Sequence, residues 1–256
     1  MLGQAVMRAA GDRAVGLTHA DLDVTDAGAV AHTLAGATVI NCAAYTDVDG
    51  AEADPHAARE VNEVGARNVA EAAARVVYVS TDYVFDGKKP VAYVESDPVG
   101  PLSEYGSSKL AGERATLTAS PHSLVVRSSW LFGPGGGNFV TTMLRLAEER
   151  GRVNVVDDQV GCPTFTGHLA EALVELAEGS SHGFLHVAGA GACSWYEFAG
   201  TVFDRAGLEV ELLPCTTDEF PRPARRPANS VLASERGAPE LPAWQEGLDA
   251  YLAVRR

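Results

Sequence analysis

A tyrosine and a lysine one helical turn apart offer the most specific chemistry in this sequence. Within residues 104–113, Tyr105 and Lys109 stand four residues apart, Ser103 can cap a helix start, and the run that follows is helix-permissive. On a helix, both side chains face the same way. Because a cation favours a neighbouring phenolate, we expect Lys109 to lower the pKa of Tyr105 from about 10 and to make it a general acid. The spacing alone is common on solvated helix faces, so its meaning depends on the surrounding segments.

Those surrounding segments predict alternating strands and helices. Residues 38–44, 76–81 and 123–131 are apolar runs of strand length. Because they are apolar on both faces, they are typical of a parallel sheet covered by helices on both sides. We predict an α/β fold with a Rossmann-like doubly wound parallel sheet and a smaller, discontinuous α/β substrate domain. Further helices are predicted over residues 1–11, 26–34, 54–74, 139–150, 166–178, 194–206 and 243–254, and further strands over residues 14–18, 153–156, 183–187 and 210–217, with Asn138 and Thr166 as caps and Ser194 in a capping box.

Three of the predicted strands end in residues suited to ligand binding. In this architecture, ligands bind at the carboxyl ends of the strands, where the strand order reverses. Residues 41–46 are small enough for a cofactor to approach the backbone, residues 80–82 offer two hydroxyls and a carboxylate, and residues 127–130 offer a guanidinium, hydroxyls and an aromatic face. One such strand end is usually a local turn. Three of them, together with Tyr105 and Lys109, indicate a functional site.

The composition limits the classes of function. The chain has 20 Lys and Arg against 34 Asp and Glu, a formal charge of −14, so we expect no nucleic-acid binding. No apolar run approaches the ~20 residues of a membrane span, and no secretory signal is visible, so we expect a cytoplasmic protein without membrane contact. The 4 cysteines lie far apart and the 7 histidines form no ligand pattern, which predicts reduced thiols and no metal site.

Residues 222–230 form a cationic loop in this acidic chain. Arg222, Arg225 and Arg226 alternate with prolines, which pre-order the three guanidinium groups. This arrangement favours capture of an anion such as a diphosphate over a solvated basic turn.

Two breaks in the α/β pattern suggest missing polypeptide. The first helix begins at Met1 without the central strand and glycine turn that a doubly wound sheet needs, and we expect Gly3 to be the last glycine of a Gly-x-x-Gly-x-x-Gly phosphate loop. Helix-forming residues 70–74 run directly into a strand, although such connections need about two residues. We therefore expect residues to be missing before Met1 and between Ala74 and Arg75.

Together, these motifs closely resemble the dTDP-4-dehydrorhamnose reductase family, within the extended short-chain dehydrogenase/reductases. The resemblance covers nearly the whole chain, and its most specific parts are the Ser-Thr-Asp-Tyr-Val-Phe run at 80–85 and the Arg-Arg-Pro run at 225–227. The matching segments are residues 22–26, 41–52, 61–62, 80–87, 105–113, 127–130, 158–164 and 224–230.

The resemblance implies that NAD(P)H reduces the 4-keto group of dTDP-4-dehydro-L-rhamnose to give dTDP-L-rhamnose. Hydride attacks the carbonyl carbon, and a donor must meet the charge that grows on the oxygen. By the same resemblance, Tyr105 gives the proton, Lys109 lowers the Tyr105 pKa and holds the nicotinamide ribose, and Thr81 orients the ketone.

The resemblance also implies the remaining site residues. The segment Leu17-Thr18-His19 at the end of the second strand carries no acid before Asp21 to hold a ribose 2′-hydroxyl, so we expect NADPH, with NADH left open. The implied cofactor contacts are Met1, Leu2, Gly3, Asp23, Val24, Ala43, Ala44, Tyr45 and Val79, and the implied substrate contacts besides Thr81 are Asp82, Trp130, Arg226 and Asn229.

The chain is expected to divide into two domains. Residues 1–133 form a dinucleotide-binding domain to which residues 165–189 return, and residues 134–164 and 190–256 form the nucleotide-sugar domain. The expected partner is a dTDP-4-keto-6-deoxyhexose substrate, and the sequence leaves a homodimer open.

Two other functions stay open at this point. One is a reductase of another dTDP-4-keto-6-deoxysugar, which nothing in the sequence separates from the first. The other is a non-catalytic regulatory subunit that binds the cofactor and a partner enzyme. The presence of Thr81, Tyr105 and Lys109 argues against the second, because a binding subunit needs no proton donor.

Overall fold

A parallel sheet lies at the centre of the structure, a computed structural model that describes residues 1–254. The helices are α1 (Leu2–Ala10), α2 (Ala27–Leu34), α3 (Val48–Ala53), α4 (Pro55–Arg59), α5 (Ala66–Ala72), α6 (Glu104–Ala119), α7 (Phe139–Glu149), α8 (Thr166–Glu178), α9 (Trp195–Ala206) and α10 (Trp244–Ala253). The strands are β1 (Thr38–Asn41), β2 (Arg75–Thr81), β3 (Leu124–Ser128), β4 (Leu131–Phe132), β5 (Arg152–Val156), β6 (Val160–Gly161), β7 (Thr164–Phe165), β8 (Gly183–His186), β9 (Cys193–Ser194) and β10 (Glu211–Cys215). No helix among the described residues is both long and apolar enough to cross a membrane.

The central sheet has the strand order β1-β2-β3-β8, and all its pairs are parallel. Successive side chains of β2 point to opposite faces. Val77 and Val79 pack with α1 and α8 on one face, whereas Val76 and Tyr78 pack with α2 and α5 on the other. The sheet is therefore covered on both sides, which confirms the predicted parallel α/β fold.

The predicted strand over residues 14–18 is wrong. These residues form no regular structure, and Val15 and Leu17 are exposed. The reason is that a strand needs a neighbour for its backbone groups, and residues 14–18 pair with none of the described strands. The four strands of the sheet therefore follow one another in the order of the sequence. The expected switch point, at which the strand order reverses, does not occur among them.

The connection from α5 into β2 is short. The helix that begins at Pro55 passes through a π-helical segment, Glu60–Gly65, and ends with α5 at Ala72. Ala73 is extended, and with Ala74 it joins α5 to β2 in two residues. The predicted absence of residues between Ala74 and Arg75 stays a prediction.

A second hydrophobic cluster lies apart from the sheet core. It is formed by side chains of β4, β5, α7, α9 and α10, with Phe132, Phe198 and Leu248 fully buried. The capping box at Ser194 is confirmed, because its hydroxyl accepts the Glu197 N–H at 3.1 Å. Phe165 takes the cap position expected of Thr166. β8 and α8 belong to the sheet and its cover, but the two-domain division itself stays a prediction.

Candidate active site

Helix α6 brings Tyr105 to the carboxyl end of β2. The predicted cap is present, since the Ser103 hydroxyl accepts the Gly106 N–H at 3.1 Å. A side chain at Gly106 would collide with the Tyr83 carbonyl, so only glycine lets the first turn of α6 approach so closely. The Tyr105 ring consequently lies edge-on to the Tyr83 ring, with the centroids 5.9 Å apart.

Thr81 ends β2 beside the Tyr105 phenol. The Thr81 hydroxyl accepts the Tyr83 N–H at 3.2 Å and donates to Asp82 Oδ1 at 3.0 Å. Its polar side chain also lowers the pKa of the neighbouring Tyr105 phenol. Thr81 and Tyr105, which are 24 positions apart in sequence, thus meet at one point of the sheet rim.

Lys109 reaches the same rim from the next turn of α6. Its ammonium donates to the Val79 carbonyl at 2.7 Å and lies 4.1 Å from the centre of the Tyr78 ring. The side chain is only 2% exposed. Burial lowers the pKa of Lys109 to about 7, although the charge of Glu113 acts in the opposite direction.

The expected effect of Lys109 on Tyr105 is wrong. Burial raises the pKa of Tyr105 to about 12, even though Thr81 lowers it. Desolvation of the phenolate therefore outweighs the effect of the polar neighbour. The phenol holds its proton across the physiological range, which is the state that a proton donor requires.

A buried ion pair beneath the rim was not predicted from the sequence. The Glu113 carboxylate accepts two hydrogen bonds from Arg127, both 2.8 Å long, and a third from the Ser80 hydroxyl at 2.6 Å. Glu113 is 0% and Arg127 3% exposed. Two features of the sequence could have indicated this pair. Arg127 interrupts the apolar run of β3, and Glu113 follows Lys109 by four residues on α6.

The loop after β1 is held by a buried amide. Asn62 Oδ1 accepts the Tyr45 N–H at 2.9 Å, and its Nδ2 donates to the Tyr45 carbonyl and to the Ser108 hydroxyl of α6. Ala43 is exposed and Ala44 partly exposed. Asn62, part of the matching motif but not among the predicted contacts, therefore positions the predicted cofactor loop against α6.

Asp23 and Val24 lie on the same side of the sheet as Asn62. Val24 packs against Gly65, one turn after Asn62, and its carbonyl accepts a 3.0 Å hydrogen bond from Asn68. The exposed Asp23 carboxylate accepts two hydrogen bonds from Thr25, which lower its pKa. Their position next to the loop after β1 is compatible with contacts to a dinucleotide.

The amino end of α1 also faces this loop. Gly3 lies close to Cys42, just after β1, and Met1 lies close to Gly136. Leu2 is buried in the core, so only its backbone is free for a ligand. Within residues 1–254, no side chain forms a capping hydrogen bond with α1, which leaves its first N–H groups as donors for an anion. Open helix donors, small residues and the Lys109 ammonium fit a dinucleotide with phosphates.

Trp130 is the only non-glycine residue with a positive φ among those described, at 48°. Its ring stacks on Trp195 with centroids 3.4 Å apart and planes inclined by 4°. Gly161 lies directly against the Trp130 ring, and any larger residue at position 161 would place a Cβ in collision with the ring. The strained backbone thus presents a fixed aromatic surface near the rim.

The predicted anion-binding loop is paired with an acid in this structure. Asp49 Oδ2 accepts hydrogen bonds from Arg222 at 2.5 Å and from Arg226 at 3.1 Å, and Oδ1 accepts the Ala224 N–H. Partial burial raises the pKa of Asp49, but these hydrogen bonds outweigh it and lower the pKa to about 2. The side chain of Asn229 is also occupied, since Nδ2 donates to the carbonyls of Lys89 and Val91.

The family model described as "RmlD substrate binding domain" matches residues 1–256. The chain belongs to the RmlD family. A "dTDP-4-dehydrorhamnose reductase" of Mycolicibacterium smegmatis is 45% identical and aligns over 96% of this chain and 80% of the relative. A "probable dTDP-4,6-dihydroxy-2-methyloxan-3-one 4-ketoreductase" of Streptomyces antibioticus is 40% identical, over 97% of this chain and 90% of the relative.

Solved structures of RmlD-family proteins have the same fold. The crystal structure of dTDP-4-dehydrorhamnose reductase from Bacillus anthracis, in complex with NADP, superposes with a TM-score of 0.93 at 37% identity, over 99% of this chain and 95% of that chain. These relatives confirm the family that the sequence motifs indicate.

Proposed function

We propose that this RmlD-family protein reduces the 4-keto group of dTDP-4-dehydro-L-rhamnose to give dTDP-L-rhamnose. The observations that support the proposal are the effect of Thr81 on Tyr105 and the hydrogen bond from Lys109 to the Val79 carbonyl, two residues before Thr81 on the same strand. Relatives that bear the reductase name align over most of their own length, which supports the same assignment.

Tyr105 is the proton donor of this reaction. Its phenol stays protonated because burial raises its pKa to about 12, so it can give a proton to the oxygen that gains negative charge. The Thr81 hydroxyl orients the ketone toward Tyr105. Lys109, held on the Val79 carbonyl, brings a positive charge to the same end of β2, which favours the phenolate that the transfer leaves behind.

NADPH supplies the hydride when it is bound. Its phosphates fit the open N–H donors of α1 at Met1 to Gly3, and its nicotinamide ribose fits the Lys109 ammonium. The absence of an acid between Leu17 and His19 leaves room for a 2′-phosphate. The exposed loop that begins at Ala43, which Asn62 holds in place, lines the cofactor.

The nucleotide sugar lies between the two predicted domains. The Trp130 ring contacts the sugar, and Asp82 lies beside it at the end of β2. Arg226 contacts the dTDP diphosphate after exchanging its Asp49 partner for phosphate oxygens, since a guanidinium pairs with both kinds of anion. Asn229 supports this loop through its contacts with the Lys89 and Val91 carbonyls.

Purified protein tests the proposal directly. We expect NADPH oxidation in the presence of dTDP-4-dehydro-L-rhamnose, with dTDP-L-rhamnose as the product by NMR. The variant Tyr105→Phe should lose about 10²- to 10⁴-fold in kcat, the usual contribution of a general acid, with little change in cofactor affinity. Full activity of this variant would overturn the role of Tyr105, and the absence of any turnover in the unaltered protein would overturn the proposed reaction.

A second candidate is reduction of another dTDP-4-keto-6-deoxysugar. The 40% identical relative named as a probable 4-ketoreductase of a dTDP-sugar favours keeping it. A panel of dTDP-4-keto sugars, with product stereochemistry determined by NMR, separates the two candidates by their kcat/KM values. A non-catalytic cofactor-binding subunit would give no turnover with any member of the panel.

A further inference from the structure

Asp82 is a buried acid that neither the fold nor substrate orientation fully explains. The residue is 2% exposed, and its Oδ2 atom finds no hydrogen-bond partner among residues 1–254 that meets ordinary geometry. Leaving such an oxygen unpaired is costly for a carboxylate and much less so for a carboxylic acid. Burial accordingly raises the pKa of Asp82 to about 7, although Ser230, Thr81 and backbone N–H groups act in the opposite direction.

Thr81 connects this acid to the proposed proton donor. Its hydroxyl lies 3.0 Å from Asp82 Oδ1, and it acts on the Tyr105 phenol, whose pKa it lowers. A hydroxyl donates one hydrogen bond and accepts two. With Asp82 protonated, Thr81 accepts from Asp82 and from the Tyr83 N–H at 3.2 Å, and its own proton turns to Tyr105. The protonation state of Asp82 therefore sets the direction in which the Thr81 hydroxyl donates its hydrogen bond.

We propose that Asp82 is the proton reservoir that restores Tyr105 after each turnover, with the Thr81 hydroxyl as the bridge. The proposal rests on the proposed role of Tyr105 as the proton donor. It assigns to Asp82 a function in the reaction beyond contact with the sugar.

The proton transfer balances over one turnover. Tyr105 gives its proton to the carbonyl oxygen and becomes a phenolate. Thr81 gives its hydroxyl proton to the phenolate while it takes the Asp82 carboxyl proton, so the phenol and the hydroxyl are both restored. Asp82 is left as a carboxylate and regains a proton from water when the product leaves. Each turnover thus consumes one solvent proton, as ketone reduction requires.

The groups around Asp82 are consistent with this role. The titratable or charged side chains that act on it or near it are Tyr83, Tyr105, Cys162 and, through Tyr83, Arg226. Lys109 donates to the Val79 carbonyl. None of these groups forms an ion pair with Asp82 among the described residues, so the carboxyl is free to alternate between its two states.

Transient kinetics of Asp82→Asn tests the proposal. In this isosteric variant Tyr105 begins protonated, so the first turnover should proceed at the rate of the unaltered enzyme. Later turnovers must wait for another proton source, so we expect a burst of one NADPH oxidised per site, followed by a steady state slower by about 10²-fold. The slow phase should show a larger solvent deuterium isotope effect than the unaltered enzyme. Asp82→Ser, which also lacks the acid, should give the same burst.

Matched variants make the outcomes distinct. Asp204→Asn removes an exposed carboxylate on α9 and should show no burst. If both phases fall together in Asp82→Asn, or if neither changes, the relay is overturned and Asp82 is a substrate contact or a structural acid. Loss of the first turnover in Tyr105→Phe tests the proposed function separately, because that loss does not depend on Asp82.

Discussion

Two ion-paired clusters flank the proposed site and differ in their exposure to solvent. The rim cluster, Glu113 and Arg127, is almost completely buried, with two parallel hydrogen bonds. The loop cluster, Asp49 with Arg222 and Arg226, keeps side chains between 17% and 49% exposed. The rim cluster packs behind the catalytic side chains, whereas the loop cluster lies where a nucleotide diphosphate is proposed to bind.

The difference shows what each cluster is suited to do. A buried pair has already lost its hydration, so removing one partner leaves an uncompensated charge in the core. Such a pair fixes β3 against α6 and thereby the position of Lys109. A partly exposed pair exchanges partners at low cost, because water and ions replace a lost contact. The loop cluster can therefore release its arginines to a phosphate.

The largest expected effect comes from breaking the rim cluster. Arg127→Met leaves the Glu113 carboxylate buried without its partner, and we expect a loss of about 3–5 kcal/mol in the free energy of unfolding. Urea denaturation measures this loss. The control Arg152→Met removes an arginine from an exposed pair with Glu211 and should change the midpoint little. Equal destabilisation by the two variants would contradict the contrast between buried and exposed pairs.

The second effect concerns the catalytic cation that the rim cluster supports. Lys109→Met keeps the length of the side chain but removes the charge beneath Tyr105, and we expect kcat to fall by about 10²-fold. Cofactor affinity should weaken too, because the ammonium is proposed to hold the ribose. Steady-state kinetics and fluorescence titration with NADPH measure the two effects. An unchanged cofactor dissociation constant would count against the ribose contact.

A smaller effect is expected in the loop cluster. Arg226→Gln removes one guanidinium from the proposed diphosphate site, and we expect KM for the nucleotide sugar to rise by about 10-fold, as for one charged hydrogen bond. The value of kcat and the thermal midpoint should hardly change. Arg145→Gln, on the exposed face of α7, is the matched control for loss of a charge. A fall in kcat at constant KM would instead place Arg226 near the reacting atoms.

The smallest effect is the response to salt. The Debye length falls from about 10 Å at 0.1 M to about 3 Å at 1 M salt, which screens exposed charges and hardly affects buried ones. We therefore expect KM for the nucleotide sugar to rise with salt by less than in Arg226→Gln, while kcat stays constant. Kinetics at the two salt concentrations measure this response, and a decrease in kcat would show that the rim is exposed to the solvent ions.

The pH dependence offers a further check on the rim. Burial lowers the pKa of Lys109 to about 7, so its ammonium is present below that pH and is lost above it. We expect the cofactor dissociation constant of the ligand-free enzyme to rise as the pH passes upward through about 7. Lys109→Arg, which stays charged, should remove this dependence. A dissociation constant that is the same at pH 6 and pH 8 would contradict the neutralisation of Lys109.

Local patterns predicted much of the site because they depend on residues a few positions apart. The Ser103 cap and the spacing of Tyr105 and Lys109 follow from the geometry of one helix turn. The prediction of a strand at residues 14–18 was wrong because a local pattern does not show whether a neighbouring strand is available to pair with it. The pairing of Asp49 with Arg226, 177 positions apart, left no local trace in the sequence.

The sequence by itself determined the strands of the central sheet, most of the helices that cover it and the family to which the chain belongs. Only the tertiary structure decided the electrostatics. It raised the pKa of Tyr105 where the neighbouring lysine alone predicted a decrease, and it placed Lys109 on the Val79 carbonyl. The physical reason is that a pKa depends on water lost to distant parts of the chain, and desolvation by those parts outweighs a single charge one helical turn away.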